Sequence, residues 1–456
     1  MRTTSKLSLR ICSFLALVLV FAACGGTEGT ETTAAGATET TAAAVTETTA
    51  AAGTETTAAG GGEEIELLVW ASRDWYAPPD GYAAFMEQYP NINVTLDVQA
   101  NDDILPQLQR MKDAGQKLPD VVQDDTFLIE SYNAAGLVLP FDEWKARWEE
   151  EDPDEFANIL PIAWEENFID GVTLGASLTA NFDVLYYNVA MFEAAGIDPT
   201  TIDSLDGILE AMRALKASSP DAIPLTVQAL PTTGVTTLKT FLSAAGAPYE
   251  GAVPDLQSPG GIYTLEWFLQ ASNEGLLPPE AISWGEGEAR GAFLAQDAGL
   301  ILDGFTVAGD FAEEPGFDFE TVWGVFPVPA SQTGAQKDGN QISNARTWFI
   351  GSDTEHPYEA SLAIRYVNET LVDAALNGSV PMRNSRLLAD PRLNEFWPFF
   401  SDQLREAYAG SASVPAGLNG GEVEGVLEEL FGEIVVGTDA TAQELADKYQ
   451  PMLDEL

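Results

Sequence analysis

Cysteine and histidine are almost missing from this 456-residue chain, which has two of the first and one of the second. Cys12 lies inside an apolar N-terminal run, so a chain cut after that run keeps only Cys24 and cannot form an internal disulfide. A cysteine-based zinc or iron–sulfur centre is excluded with it, and a fold exported without disulfides must rest on its core. The single histidine, His356, excludes a His-rich metal site, and no G-x-S-x-G elbow accompanies it to build a hydrolase triad. No phosphate-cradling G-x-x-x-x-G-K-[ST] occurs. Basic residues are scarce too: 21 Lys and Arg face 71 Asp and Glu, for a net charge of −50. Such a surface repels nucleic acid and anionic lipid and disfavours a polyanionic ligand. It suits either a cationic ligand or a salty habitat in which screening is strong, and a solvated acidic face is the simpler reading. Beyond residue 23 no second long apolar run appears, as expected of a soluble globular body.

What is present starts with Arg2, Lys6 and Arg10, an apolar stretch from Ile11 to Ala23, and small residues just before Cys24. This is the layout of a secretory signal, too short for a spanning helix. The cysteine at the cut site makes it resemble a bacterial lipoprotein signal, which implies removal of residues 1–23 and a lipid anchor on Cys24. Phe21 departs from the pattern, which most often has Leu there. An eight-residue repeat follows from Thr30 to Gly61: TETTAAGA, TETTAAAV, TETTAAAG, TETTAAGG. It has no aromatic residue and one larger aliphatic, Val45, so it cannot bury enough apolar surface to offset its ordering entropy. Residues 24–62 read as a disordered tether, averaging roughly 30–35 Å end to end as a flexible coil.

The body, from residue 63 on, is long enough for two domains. EIELLVW (Glu64–Trp70) reads as a strand. Tyr82, Phe85, Met86 and Tyr89 then follow at helical spacing, and Pro90 ends that helix. NVTLDV alternates as a second strand, a helical stretch covers about Asp103 to Ala114, and LPDVVQDDT reads as a third strand opening into a loop at Asp124. The order β-α-β-α-β opens a doubly wound α/β sheet, in which ligands bind beyond the carboxyl ends of the strands. There stand Trp70, Arg73, Asp74, Trp75 and Tyr76 after the first strand, and Asp124, Asp125 and Thr126 after the third. FDVLYYN (Phe182–Asn188), AIPLTVQ, AGLILDG, VWGVFPVP and TWFIGSD read as later strands. Gly196 caps one helix, Asp203 or Ser204 starts the next, and the last 80 residues read as mainly helical. Two α/β lobes account for this length better than one sheet.

The ordered set LLVWASRDW, LPDVVQDD with AAGLVLPFDEW, DVLYYNVAMFEAAGIDP, GAFLAQDAGLILDG, WGVFPVPA, HPYEASLAIRYV and VPMRN resembles the extracellular solute-binding proteins of carbohydrate ABC importers, the family that includes maltodextrin-binding proteins. The resemblance covers about residues 64–456. It implies a two-lobed periplasmic-binding-protein-like α/β fold with hinge strands, lobe 1 taking 63–180 plus 328–370 and lobe 2 taking 183–322 plus 375–456. It further implies a monomer, exported and held at the outer face of the cell membrane. That monomer binds a sugar between its lobes and delivers it to the transmembrane subunits of an ABC permease by closing. No cofactor, metal or catalytic residue is implied.

Position by position, the resemblance places Asp74 and Trp75 on the first ligand loop, Asp124 and Asp125 on the second, Asn181 on the crossover, Gln228 after a lobe 2 strand, and Asp303 and Phe305 after LILDG. Thr306 follows Phe305 where Trp is more usual nearby, and Arg346 and Trp348 stand in the return segment where the family more often has a Gly pair. Sugar rings present hydroxyl edges to Asp, Asn, Gln and Arg and weakly apolar faces to aromatic rings. On that ground Trp75, Trp284 and Trp348, read in or beside loops, are candidates for stacking. Trp70 and Trp323, in strands, and Trp144, Trp148 and Trp164, in helices, read as core. Two other readings stay open: a polyamine or similar cation held by Asp74, Asp124, Asp125 and Asp303, and a tethered glycoside hydrolase using a carboxylate pair.

Overall fold

A computed structural model of the chain describes residues 64–72, 77–99, 104–230, 235–329, 342–375, 380–381, 398–413 and 417–456. The signal, Cys24, the tether, Asp74 and Trp75 lie outside the described residues.

β1 (Ile65–Ala71) lies between β2 (Ile92–Val98) and β3 (Val121–Asp125), parallel to both, with Leu67 opposite Val94 and Val69 opposite Val121. The helices Ala83–Gln88 and Ile104–Asp113 make the crossovers, so the expected β-α-β-α-β opening is present. Alternation of side chains sends Val69, Ala71 and Val121 into one core cluster and Trp70 and Val122 into another. A parallel sheet buried on both faces demands this near-continuous apolar run. The first helix is shorter than its spacing predicts. Gly81 and Tyr82 have φ of +61° and +72°, so the helix starts only at Ala83. Asp80 holds that turn, accepting from the Tyr82 and Ala84 N–H groups at 3.1 and 2.8 Å and from the Tyr366 hydroxyl at 2.7 Å.

One 13-residue strand, Ala176–Asn188, organises the rest. At about 3.3 Å per residue it is roughly 43 Å long. Residues 176–182 pair antiparallel with the return strand Ile342–Ile350, which itself pairs with β3. Residues 183–188 pair antiparallel with the strands Ala298–Gly304 and Trp323–Pro327. Ile223–Thr226 completes the far side, parallel to Ala298–Gly304. The hydrogen-bonded path is therefore one continuous sheet rather than two, because this crossing strand belongs to both halves.

Helices Leu205–Ser218, Val235–Ala244, Pro259–Asn273, Gly420–Val436 and Ala442–Asp454 pack a separate core over the second half. Leu205, Ile208, Leu209, Met212 and Leu215 are buried there, and Ser204 caps their helix by accepting from the Gly207 N–H at 3.1 Å. Gly196, at φ +68°, ends the preceding helix as expected. Trp323, Trp148 and Trp164 are core residues, the last two packed edge to face at 5.8 Å. Trp70 is buried as well.

Candidate functional site

The carboxyl end of β3 meets the return strand, with Asp125 opposite Arg346, Asp124 opposite Thr347 and Gln123 opposite Trp348. Cross-strand partners share a face, so Asp125 and Arg346 emerge together and form an ion pair. Asp124 points to the other face and is fully buried. Its Oδ1 accepts from the Asp125 N–H at 2.8 Å and its Oδ2 from the Tyr132 hydroxyl. Burial raises the Tyr132 phenol, and the Asp124 charge and hydrogen bond add to the rise. Asp124 thus ties the helix Ile129–Ala134 to the strand end instead of lying in an open loop.

The second cluster sits where the crossing strand changes partners. Asp303, next to last in its strand, takes a bidentate bond from Arg290, Nε to Oδ2 at 2.7 Å and Nη2 to Oδ1 at 3.0 Å. Arg290 also pairs with Glu286 at 3.0 Å. Burial raises the Asp303 carboxyl, with Arg290 opposing it. Asn181 is half-buried and accepts from the Thr306 N–H at 3.2 Å. Its amide lies so close to Gly304 that a Cβ there would stand 2.0 Å from Asn181 Nδ2. Gly304→Ala is therefore expected to cost about 1–3 kcal/mol from overpacking. Asn181→Ala in the same chain should recover most of the loss, as read by urea unfolding.

Asp183, two residues beyond Asn181, is buried and accepts from the Thr240 hydroxyl. Burial pushes its carboxyl up to about 7; the bond from Thr240 opposes the rise, the nearby Asp303 charge adds to it, and Lys239 opposes it. Periodicity marks Asp183 only as one residue of an apolar strand, although a carboxylate inside FDVLYYN is itself a signal. Nor does it mark a buried polar web under the β3 end. There Asn167 Nδ2 donates to Ser177 Oγ at 2.9 Å, Thr347 donates to Asn167 Oδ1 at 2.6 Å, and Thr126 and Ser177 share a hydrogen bond of 2.9 Å. This web joins the crossing strand to the return strand.

Two aromatic expectations are corrected. Trp348 lies within the return strand, not beside a loop, and is fully buried in the core that includes Val69 and Val121. Phe305 is also buried, its ring 5.3 Å from Phe182 and 4.7 Å from Phe400. Gln228 is nearly buried, and Trp284 is half-buried against the second-half core. The two segments are joined where the Ala229 and Leu230 N–H groups donate to the Trp284 carbonyl at 3.2 and 3.0 Å. Asp125 opens onto a cavity of about 340 Å³ between the helices after β2 and β3 and the start of the helix Gly420–Val436. On the latter, Glu424 is ion-paired with Lys239 at 2.9 Å. No group of His, Cys, Asp and Glu able to hold a metal ion occurs among the described residues.

A strand shared by two α/β halves, with polar residues at the strand ends and a cavity between elements of both, defines the class of hinged two-lobed binding proteins. The chain belongs to the bacterial extracellular solute-binding protein family, whose model matches residues 72–370. It is similar to the xylose/arabinose-binding protein XacG of Haloferax volcanii, 23% identical over 329 residues, 70% of this chain and 68% of that protein. Among solved structures it resembles the sugar-binding protein MalE of Xanthomonas citri, at 18% identity and TM-score 0.71, covering 86% of this chain and 98% of the other. It also resembles the ABC substrate-binding protein Lmo0181 of Listeria monocytogenes in complex with cycloalternan, at 16% identity and TM-score 0.70, covering 86% and 99%.

Proposed function

We propose that this chain is the exported, lipid-anchored binding protein of an ABC importer. It takes a sugar or related polyol between its lobes and presents it to the permease by closing. The observation that carries the choice of ligand is charge compensation. Asp125 is paired with Arg346, Asp303 with Arg290 and Glu424 with Lys239, and Asp124 is hydrogen-bonded by Tyr132. Ion-paired carboxylates do not call for a cationic solute, whereas fixed ion pairs present ready donors and acceptors to neutral hydroxyls. The polyamine reading loses Asp125 and Asp303 by this argument, and Asp124 is fully buried against Tyr132. The names of the relatives, which are sugar-binding proteins and not hydrolases, favour retention over turnover.

In this reading Asp125, Arg346, Asn181, Gln228 and Trp284 meet the solute together with Asp74 and Trp75. Cys24 holds a monomer at the outer membrane face on the 24–62 tether. The lobes divide as 63–180 with 328–370 and 183–322 with 375–456.

A thermal-shift screen of the full chain against xylose, arabinose, maltose, ribitol and spermidine tests the proposal, with the solute recovered and weighed by mass spectrometry. A ligand at a hundred times its Kd adds about 2.7 kcal/mol, a rise of a few degrees in Tm. At least one sugar or polyol should give that rise and return unchanged. A rise with spermidine alone, or a hydrolysed maltose, overturns the proposal.

A further inference from the structure

The cavity beside Asp125 is lined mostly by apolar side chains and glycine. Leu105 and Pro106 line it from the helix Ile104–Asp113, Phe127 and Leu128 from the turn after β3, and Leu418 from the loop before the helix Gly420–Val436. Gly417, Gly420 and Gly421 flank Leu418 and leave the space unfilled by side chains. Leu418 is 59% exposed. Of the polar side chains on the wall, Asp125 and Glu424 are already in ion pairs, and the third is the Ser131 hydroxyl. Those polar groups can serve hydroxyls at the Asp125 edge, and the rest of the wall favours carbon, by roughly fourfold in affinity per buried methylene. An apolar cavity of about 150 Å³ holds a benzene ring, so about 340 Å³ is ample for one.

We infer that this cavity is a subsite for an apolar substituent carried by the solute, an aryl or alkyl group linked to a sugar. The inference rests on the sugar reading above. Asp125 supplies the continuity, since it lines the cavity and holds Arg346 among the residues assigned to the sugar itself. The sugar ring then lies on the strand-end side of Asp125, and its substituent lies between Phe127 and Leu128 on one wall and Leu418 on the other.

Isothermal titration of the full chain with paired methyl and phenyl glycosides tests this, using the xylopyranoside, the glucopyranoside and the sugar that gives the largest shift in the screen above. The phenyl member should bind at least about tenfold more tightly than the methyl member. Leu418→Asn, at an exposed position, should bring that ratio to about threefold or less. Saturation-transfer NMR on the unmutated chain should show the phenyl protons as the most strongly contacted. Equal affinities within every pair, with sugar binding intact, overturn the subsite and leave the sugar reading standing. Absence of binding by every sugar and glycoside overturns both.

Discussion

Replacing Arg290 by methionine is expected to cost about 3–5 kcal/mol of folding stability at neutral pH, the loss typical when one partner of a buried ion pair is removed. The pair qualifies because the Asp303 side chain is only 5% exposed while Arg290 is 26% exposed. The guanidinium meets both carboxylate oxygens, a geometry that an ammonium cannot reproduce. Without it, Asp303 keeps, among the described residues, the Gly304 N–H at 2.8 Å. Burial already raises that carboxyl and Arg290 is what opposes the rise, so in the variant the folded pKa climbs further. A raised carboxyl pKa makes stability fall as pH rises through the window between the unfolded and folded values. The deficit should therefore be largest near pH 8 and shrink towards pH 4. Urea unfolding at the two pH values reads this directly. Asp303→Asn combined with Arg290→Met should recover most of the loss, since no unpaired charge then remains. A loss below about 1 kcal/mol at pH 8 means that solvent reaches Asp303 and that the pair is dispensable. Gly304, Phe305 and Thr306 follow Asp303 directly and contact Asn181 or Phe182, so weaker solute binding should accompany the instability.

Much of the fold was legible in the sequence because its elements obey simple periodicities. β1 to β3, the strand Ala298–Gly304 and the helix Leu205–Ser218 carry bulky apolar residues at the spacing their geometry needs. The first half of the crossing strand does not. Residues 176–181 are Ala, Ser, Leu, Thr, Ala and Asn; all but Leu178 are small or polar and all are buried or nearly so, so neither alternation nor a continuous apolar run marks them. The return strand and the short strand Val380–Pro381 pair on either side of them, and the Ser177 hydroxyl joins the web with Asn167 and Thr126. The expected strand consequently began only at Phe182, and the element that unites the two halves was half read.

The site was legible by residue type more than by direction. Asp124 and Asp125 are adjacent in a strand, so one faces Arg346 and the other Tyr132; the pair cannot serve the same cleft. Trp348 misled for a related reason. Arg346 and Trp348 share a face of the return strand, but the Arg lies at the strand-end edge beside Asp125, whereas the Trp lies two residues deeper, in the core. Alternation tells which face a side chain takes; its depth along the strand depends on where the partner strand ends, which no local pattern records.

The Asp183 carboxylate should make the chain less stable as pH rises, and Asp183→Asn should remove that dependence. Its carboxyl is pushed up to about 7, against about 3.9 for an aspartate in an unfolded chain. The folded state then holds a proton that the unfolded state releases, so stability falls between about pH 4 and 7 and the full penalty stands above that window. The groups that face it are Asp303 from the strand Ala298–Gly304 and Lys239 and Thr240 from the helix Val235–Ala244. Lys239 moderates the penalty from a distance and is itself engaged with Glu424. Asparagine keeps the size and can still accept from the Thr240 hydroxyl, but it carries no charge to desolvate. The variant should be more stable than the natural chain at pH 8 by on the order of 1–4 kcal/mol and close to it at pH 4.5. Urea midpoints at both values decide the matter. An equal difference at the two pH values would assign the effect to packing around Thr240. No difference at either would mean that Asp183 stays ionised at little cost, with Lys239 compensating it as fully as Arg290 compensates Asp303.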